Sequence, residues 1–208
     1  MSRPLLISDC DDVLLHMVPH FAAWLEEAQG CTFVLDESGL GGAVRDRETG
    51  APVPREEVGA LLDDFFISEM HRQNLVAGAI EALAEIEKLA DVVILTNLRD
   101  EHHAIRVSQL GAFDIRYEVL CNQGGKGPPV RELVDRFQPS ATVFVDDWAF
   151  HHESVAEHAP EVWRLHMVAD STIAEHVPAA PHAHARIDRW SEATRWIVAR
   201  LGEGPAAR

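Results

Sequence analysis

Leu5-Leu6-Ile7-Ser8-Asp9-Cys10-Asp11-Asp12-Val13 carries the chain from a short apolar run into three carboxylates within four positions. An apolar run that ends this abruptly reads as a buried strand whose carboxyl end opens into a polar site. In open parallel α/β sheets, that end is where ligands bind. Asp9 and Asp11 stand two apart, so both side chains can project to the same side of the strand end. Two carboxylates held that close raise one another's pKa. A divalent metal removes the conflict, and Mg²⁺ commonly combines a few protein carboxylates with water and phosphate oxygens. The bland alternative is a strand capped by solvated aspartates.

Further along, the pattern repeats. Asp91-Val92-Val93-Ile94-Leu95 runs into Thr96-Asn97, and Ala141-Thr142-Val143-Phe144-Val145 runs into Asp146-Asp147. Between them Gly124-Gly125-Lys126-Gly127-Pro128-Pro129 places one lysine in a loop just ahead of the helical stretch 130–137. Singly, each has an ordinary reading: Thr96-Asn97 as a helix N-cap, Lys126 as a solvated loop charge, Asp146-Asp147 as a turn. Their shared placement at strand ends or helix starts of one alternating βα pattern points to an α/β fold with a parallel sheet flanked by helices.

Taken in order, Asp9/Asp11/Val13, Thr96, Lys126 and Asp146/Asp147 resemble the haloacid dehalogenase (HAD) superfamily, over a core from Leu5 to about Val168. The resemblance implies a Rossmann-like core and Mg²⁺-dependent hydrolysis of a small phosphate monoester. Asp9 would be the nucleophile and Asp11 the general acid/base, while Thr96, Asn97 and Lys126 would hold the phosphoryl group. The metal set it implies is Asp9, Asp11, Asp146 and Asp147, with Asp11 bound through its backbone carbonyl and Asp147 slightly favoured over Asp146. An Asp at position 11 favours phosphate transfer over carbon–halogen cleavage. The chain departs from the pattern twice. Asp12 stands where the family often has Gly, so it is expected to turn outward or to pair with a cation such as Arg99. His151 and His152 stand where a further Asp or Asn often follows the acidic pair, which leaves Mn²⁺ or another divalent metal open.

The segment between the first two motifs is the most irregular. Val18, Phe21, Ala22 and Leu25 recur at helical spacing over 17–29, ending at Gly30. A short run at 31–35, a Gly- and charge-rich stretch 36–54 and a second helical run from 55 to about 73 follow. By the resemblance this is a small, mainly helical C1-type cap over 16–77, inserted after the first strand, with the core formed by 1–15 and 78–208. Its hinges would lie near His16 and Ala77, and 36–54 would be a β-hairpin or a mobile loop touching substrate. Such a lid confines substrates to small phosphorylated metabolites. After 168 the chain turns Pro- and Ala-rich; an amphipathic helix is expected over 188–201 and a frayed tail over 202–208.

Composition bounds the rest. The chain has 208 residues, a hydrophobic fraction of 47% and a formal charge of −16, with no visible basic patch. That argues against nucleic acid or an anionic membrane as partner. Cys10, Cys31 and Cys121 share no metal-ligand spacing and suit reduced thiols; no apolar run approaches membrane-spanning length. A cytoplasmic enzyme is expected, in an oligomeric state the sequence leaves open. Of the twelve histidines, His16 and His151 are placed to line the pocket, followed by His102 and His103. A phosphomutase of the same family and a catalytically silent HAD-fold binding module are the alternatives. A phosphate-receiver domain ranks lower, because there the acidic pair sits in the first strand.

Overall fold

The computed structural model describes residues 2–35 and 42–206. Its centre is a six-stranded parallel sheet in the order β5-β4-β1-β6-β7-β8. The strands are β1 (Leu5–Ser8), β4 (Asp91–Thr96), β5 (Glu118–Cys121), β6 (Thr142–Asp146), β7 (Trp163–His166) and β8 (Ala185–Arg186). The α/β reading of the sequence holds, and its physical basis is visible along each central strand. Leu5 and Ile7 face one helical layer with Val93, Leu95 and Phe144; Leu6 faces the other with Ile94 and Val143. Alternate side chains of one strand serve opposite faces, so a strand buried on both reads as an unbroken apolar run. Burying one such leucine contributes about 1.5–3 kcal/mol.

Helices α5 (Gly127–Phe137) and α6 (Ala149–His158) cover the first face. The second is covered by α3 (Ala79–Ile86), α4 (His103–Ala112) and α8 (Trp190–Glu203), with the short α7 (Ser171–Ala174) in the loop before β8. Trp190 of α8 exposes no surface and donates its indole N–H to the Val13 carbonyl at 2.8 Å. That bond fastens the last helix to the first loop, and truncation to Ala would cost about 3–5 kcal/mol.

Register places the strand ends together. Leu5 pairs with Asp91 on one side and Thr142 on the other, so Asp9, Thr96 and Asp146 all emerge at the carboxyl edge of adjacent strands. The chain leaves β1 in one direction toward β4 and returns in the other to β6, which makes β1 the switch point where a crevice opens.

The inserted segment is built around a second apolar cluster, joined from the core by Leu98. Helix α1 (Val18–Ala28), an antiparallel pair β2 (Cys31–Phe33) and β3 (Val44–Asp46), and α2 (Arg55–Ser68) pack Phe21, Trp24, Leu25, Phe65 and Phe66 together. The second helical run therefore divides: α2 stops at Ser68 and a single 3-10 turn, Met70–Arg72, follows. Entry and exit run side by side as a neck. Leu15 bridges Leu75 antiparallel, the His16 N–H donates to Asn74 O at 2.9 Å, and the Val76 N–H donates to Leu14 O at 2.9 Å. Of the stretch 36–54, the described part includes β3 and its turn; the portion 36–41 lies outside the described residues.

The tail differs from expectation. Gly202 and Glu203 belong to α8, the Trp163 indole N–H donates to Gly204 O at 2.9 Å, and the Ala206 N–H donates to Glu161 O at 2.8 Å. A tail held by an indole N–H at one residue and a backbone hydrogen bond two residues on is docked; of 202–208, positions 207–208 fall outside the described residues.

Candidate active site

Asp9 leaves β1 with its N–H still bonded to Val145 O at 2.9 Å, so the first loop is anchored on β6 before it turns. Asp9 is 6% exposed; its Oδ1 accepts the Cys10 N–H at 2.6 Å and lies 2.8 Å from the Lys126 ammonium. Lys126, at the N-terminus of α5, exposes no surface and donates to Asp146 Oδ2 at 2.7 Å. The second oxygen of Asp146 accepts the Trp148 N–H at 2.9 Å. One cation is thus wedged between two carboxylates at the ends of adjacent strands.

Asp147 completes the group. One carboxylate oxygen each from Asp9, Asp146 and Asp147 lies within 4.8 Å of the others. Fully ionised, three carboxylates against one ammonium would leave two negative charges in a site where Asp9 and Asp146 are buried and Asp147 half-buried, and the charge state of each responds. Burial, together with Asp146 and Asp11, pushes Asp9 up to about 7 despite Lys126. Burial opposes ionisation of Asp146 as well, yet Lys126 prevails and holds it below the ordinary carboxylate range. Asp147 is raised well above that range by burial and by Asp146, Asp9 and Asp12. For Lys126 itself burial works against the charge, and Asp146 and Asp9 outweigh it and hold the ammonium above its ordinary value. An all-oxygen donor set whose carboxylates resist ionising together until positive charge is supplied fits a hard divalent cation. The structure brings Asp9, Asp146 and Asp147 into that set; the Asp11 carboxylate is not among them.

Asp11 is engaged elsewhere. Arg106 Nη2 lies 2.8 Å from both of its oxygens, and Gln73 Nε2 donates to Oδ1 at 2.7 Å. The Thr96 hydroxyl, fully buried at the end of β4, is 3.4 Å from Oδ2. Arg106 exposes no surface, and its Nη1 also touches the Cys10 sulfur at 3.1 Å. Burial pushes the Cys10 thiol up, so Cys10 is a neutral packing residue. Neither Arg106 nor Gln73 is among the residues singled out from sequence. For Arg106 a signal exists: His102, Arg106 and Leu110 recur every four residues on one buried stripe, and a charged residue there requires a buried partner. Gln73 has no comparable signature.

Asn97 is tied to the lysine loop, donating to Gly124 O at 2.9 Å and accepting from Asn122 at 2.9 Å. Asp12 neither turns outward nor meets Arg99, which pairs with Asp63 at 2.8 Å. It adopts a left-handed backbone, φ 54°, and its carboxylate accepts the Met17 N–H at 3.0 Å and the Val18 N–H at 3.2 Å at the start of α1. Asp tolerates this conformation better than most residues, and here it replaces the conformational freedom of Gly with a cap. Of the histidines, His151 is buried against the Trp148 ring, 5.1 Å away, and burial lowers it to about 4 despite nearby Asp146. His103 faces the Val119 carbonyl, 3.0 Å away, and His102 lies 3.9 Å from Asp63.

No protein-family model and no curated protein sequence matches the chain. Solved structures do. The HAD hydrolase YfnB from Bacillus subtilis, whose structure holds magnesium and reveals interdomain movement, aligns with a TM-score of 0.64 at 14% identity, covering 95% of this chain and 99% of that one. A Lactobacillus plantarum protein assigned as a phosphoglycolate phosphatase gives 0.64 at 15%, covering 94% and 99%. A Thermotoga maritima protein assigned as a β-phosphoglucomutase gives 0.58 at 16%, covering 96% and 99%. This chain has the HAD-like fold. At such identities the likeness is one of fold alone, and the HAD-like frame does not choose among the reactions it hosts.

Proposed function

We propose that this protein is a HAD-type phosphohydrolase that cleaves a small phosphate monoester through an aspartyl-phosphate on Asp9. The observation that carries the reading is the Asp9–Lys126–Asp146–Asp147 cluster, buried but for half-buried Asp147, at the switch point of the sheet. A divalent cation, Mg²⁺ by the donor chemistry, would be held by Asp9, Asp146 and Asp147 and would supply charge neutralisation for an anionic substrate.

The side chains divide the remaining work. Oδ1 of Asp9 is held by Lys126 and the Cys10 N–H, which leaves Oδ2 to attack phosphorus. As that bond forms the ester P–O bond breaks, and Asp11 gives a proton to the leaving oxygen. In the second half Asp11 takes a proton from water as the water oxygen displaces Asp9 from phosphorus. The Thr96 hydroxyl and the Lys126 ammonium bind phosphoryl oxygens, with Asn97 fixing the lysine loop. The inserted segment 16–77 acts as a C1-type cap hinged at the neck, and closing it excludes water.

One contact favours the catalytically silent alternative. Both Asp11 oxygens are taken by Arg106, so proton transfer at Asp11 requires that contact to loosen. Gln73, at the end of the inserted segment, touches the same carboxylate, and movement at the neck is the route by which it could loosen.

The test is phosphate release from para-nitrophenyl phosphate with Mg²⁺ and with chelator, comparing wild type with Asp9→Asn. Metal-dependent release that vanishes in a folded Asp9→Asn variant supports the reading. An Asp9→Asn variant as active as its parent would sink the mechanism, and a wild type inert with Mg²⁺, Mn²⁺ and Co²⁺ would favour the silent module.

A further inference from the structure

Two histidines brace the acidic pair from below. His152 of α6 exposes no surface, and its Nε2 lies 3.0 Å from the Asp146 carbonyl. His166, equally buried at the end of β7, places Nε2 2.8 Å from the Asp147 carbonyl. A carbonyl oxygen only accepts, so each Nε2 carries the proton. At His166 the tautomer is fixed from the other side too, because Nδ1 accepts the Ala180 N–H at 3.1 Å. The two rings meet edge to face at 5.4 Å, and His152 also packs against Phe144 at 5.6 Å. The Pro- and Ala-rich stretch after β7 thus orients one of these imidazoles through the Ala180 backbone N–H.

We propose that His152 and His166 are positioning residues that hold the backbone of Asp146 and Asp147 so that both carboxylates converge with Asp9 on a divalent cation. The inference rests on the phosphohydrolase reading of the same site. Asp146 ends β6 and its carbonyl also accepts the Met167 N–H at 3.0 Å, whereas Asp147 lies beyond the strand with its carbonyl facing His166. Without the two N–H donors, the turn that aims the Asp147 carboxylate would lose the side-chain hydrogen bonds on its carbonyls. Partners that orient ligand residues without touching the metal typically change metal affinity 10–100-fold.

The test separates the two hydrogen bonds of His166 and reads Mg²⁺ affinity by isothermal titration calorimetry, with folding checked by circular dichroism. A glutamine amide nitrogen can occupy the position of Nε2 and donate to Asp147 O; an asparagine amide reaches only as far as Nδ1. His166→Gln should bind Mg²⁺ close to wild type, and His166→Asn about tenfold or more weakly, with both folded. Equal affinity in wild type and His166→Asn, or equal weakening in both variants, overturns the positioning role alone. A wild type without Mg²⁺ affinity overturns the function reading and this inference with it. Should a position-166 variant fail to fold, His152→Gln against His152→Asn makes the comparison at the Asp146 carbonyl; there the Met167 N–H stays in place, so the loss in His152→Asn should be smaller but still exceed that in His152→Gln, and equal affinities overturn the role of His152.

Discussion

A single nitrogen of Arg106, Nη2, reaches both carboxylate oxygens of Asp11 at 2.8 Å, and it does so from a side chain with no exposed surface. Asp11 is itself only 14% exposed. Removing one member of such a pair strands the other charge out of water, at about 3–5 kcal/mol. Arg106→Met should therefore lose stability on that scale in urea denaturation. Arg106→Met combined with Asp11→Leu should recover most of it, because no unpaired charge is left. Two single losses that simply add would show that the pair is not coupled.

Lys126 plays the same part between Asp9 and Asp146, at 2.8 and 2.7 Å. Lys126→Met leaves three clustered carboxylates with no counter-charge among them, so without metal the variant should lose about 3–5 kcal/mol. Saturating Mg²⁺ should stabilise both proteins, and the variant more, since without the ammonium the three carboxylates hold the cation more tightly. Denaturation with chelator and with Mg²⁺ measures both; stability of both proteins unchanged by Mg²⁺ would argue against a cation site at the cluster.

What could be read from sequence follows how local each signal is. Leu5–Ser8, Asp91–Thr96 and Thr142–Asp146 are continuous apolar runs that end in polar groups, so strand, burial and carboxyl-edge placement were legible residue by residue. The docking of Gly204 and Ala206 was not, because it depends on Trp163 and Glu161 across the sheet edge. The capping role of Asp12 was hidden likewise: only the fold brings the start of α1 back to the first loop. Arg106 and Gln73 meet Asp11 across 95 and 62 residues, a convergence that no spacing encodes.

Acid should weaken the far end of the sheet through His184. Burial, with Arg164 and Arg200 nearby, lowers it from 6.5 to about 4, and its Nδ1 accepts the Arg164 N–H at 3.0 Å. A base with a depressed folded pKa binds fewer protons folded than unfolded between those values. Its contribution is therefore full above pH 6.5 and lost as pH falls toward 4. His184→Asn keeps an acceptor near the same place without titrating. The stability gap between wild type and His184→Asn should shrink from pH 7 to pH 4.5 in parallel urea titrations; a gap constant over that window would refute the assignment.

Position 12 sets backbone strain, capping and charge against one another. At φ 54° a Cβ costs roughly 1 kcal/mol, the cap on Met17 and Val18 is worth about 0.5–2 kcal/mol, and Gly removes both. Ala keeps the strain and loses the cap, so Asp12→Ala should be less stable than Asp12→Gly. Asn keeps the acceptor, tolerates the left-handed region and removes a charge. Burial, opposed by the Met17 N–H and reinforced by Asp11, pushes Asp12 up to about 7. An acid with a raised folded pKa loses stability as pH climbs from 3.8 toward 7, because the unfolded chain gives up its proton first. Asp12→Asn does not lose it. In metal-free buffer Asp12→Asn should thus exceed wild type in stability at pH 7.5, by a margin that shrinks on acidification toward pH 4. A margin that stays flat across that range would mean that the Asp12 charge is already compensated at the helix end.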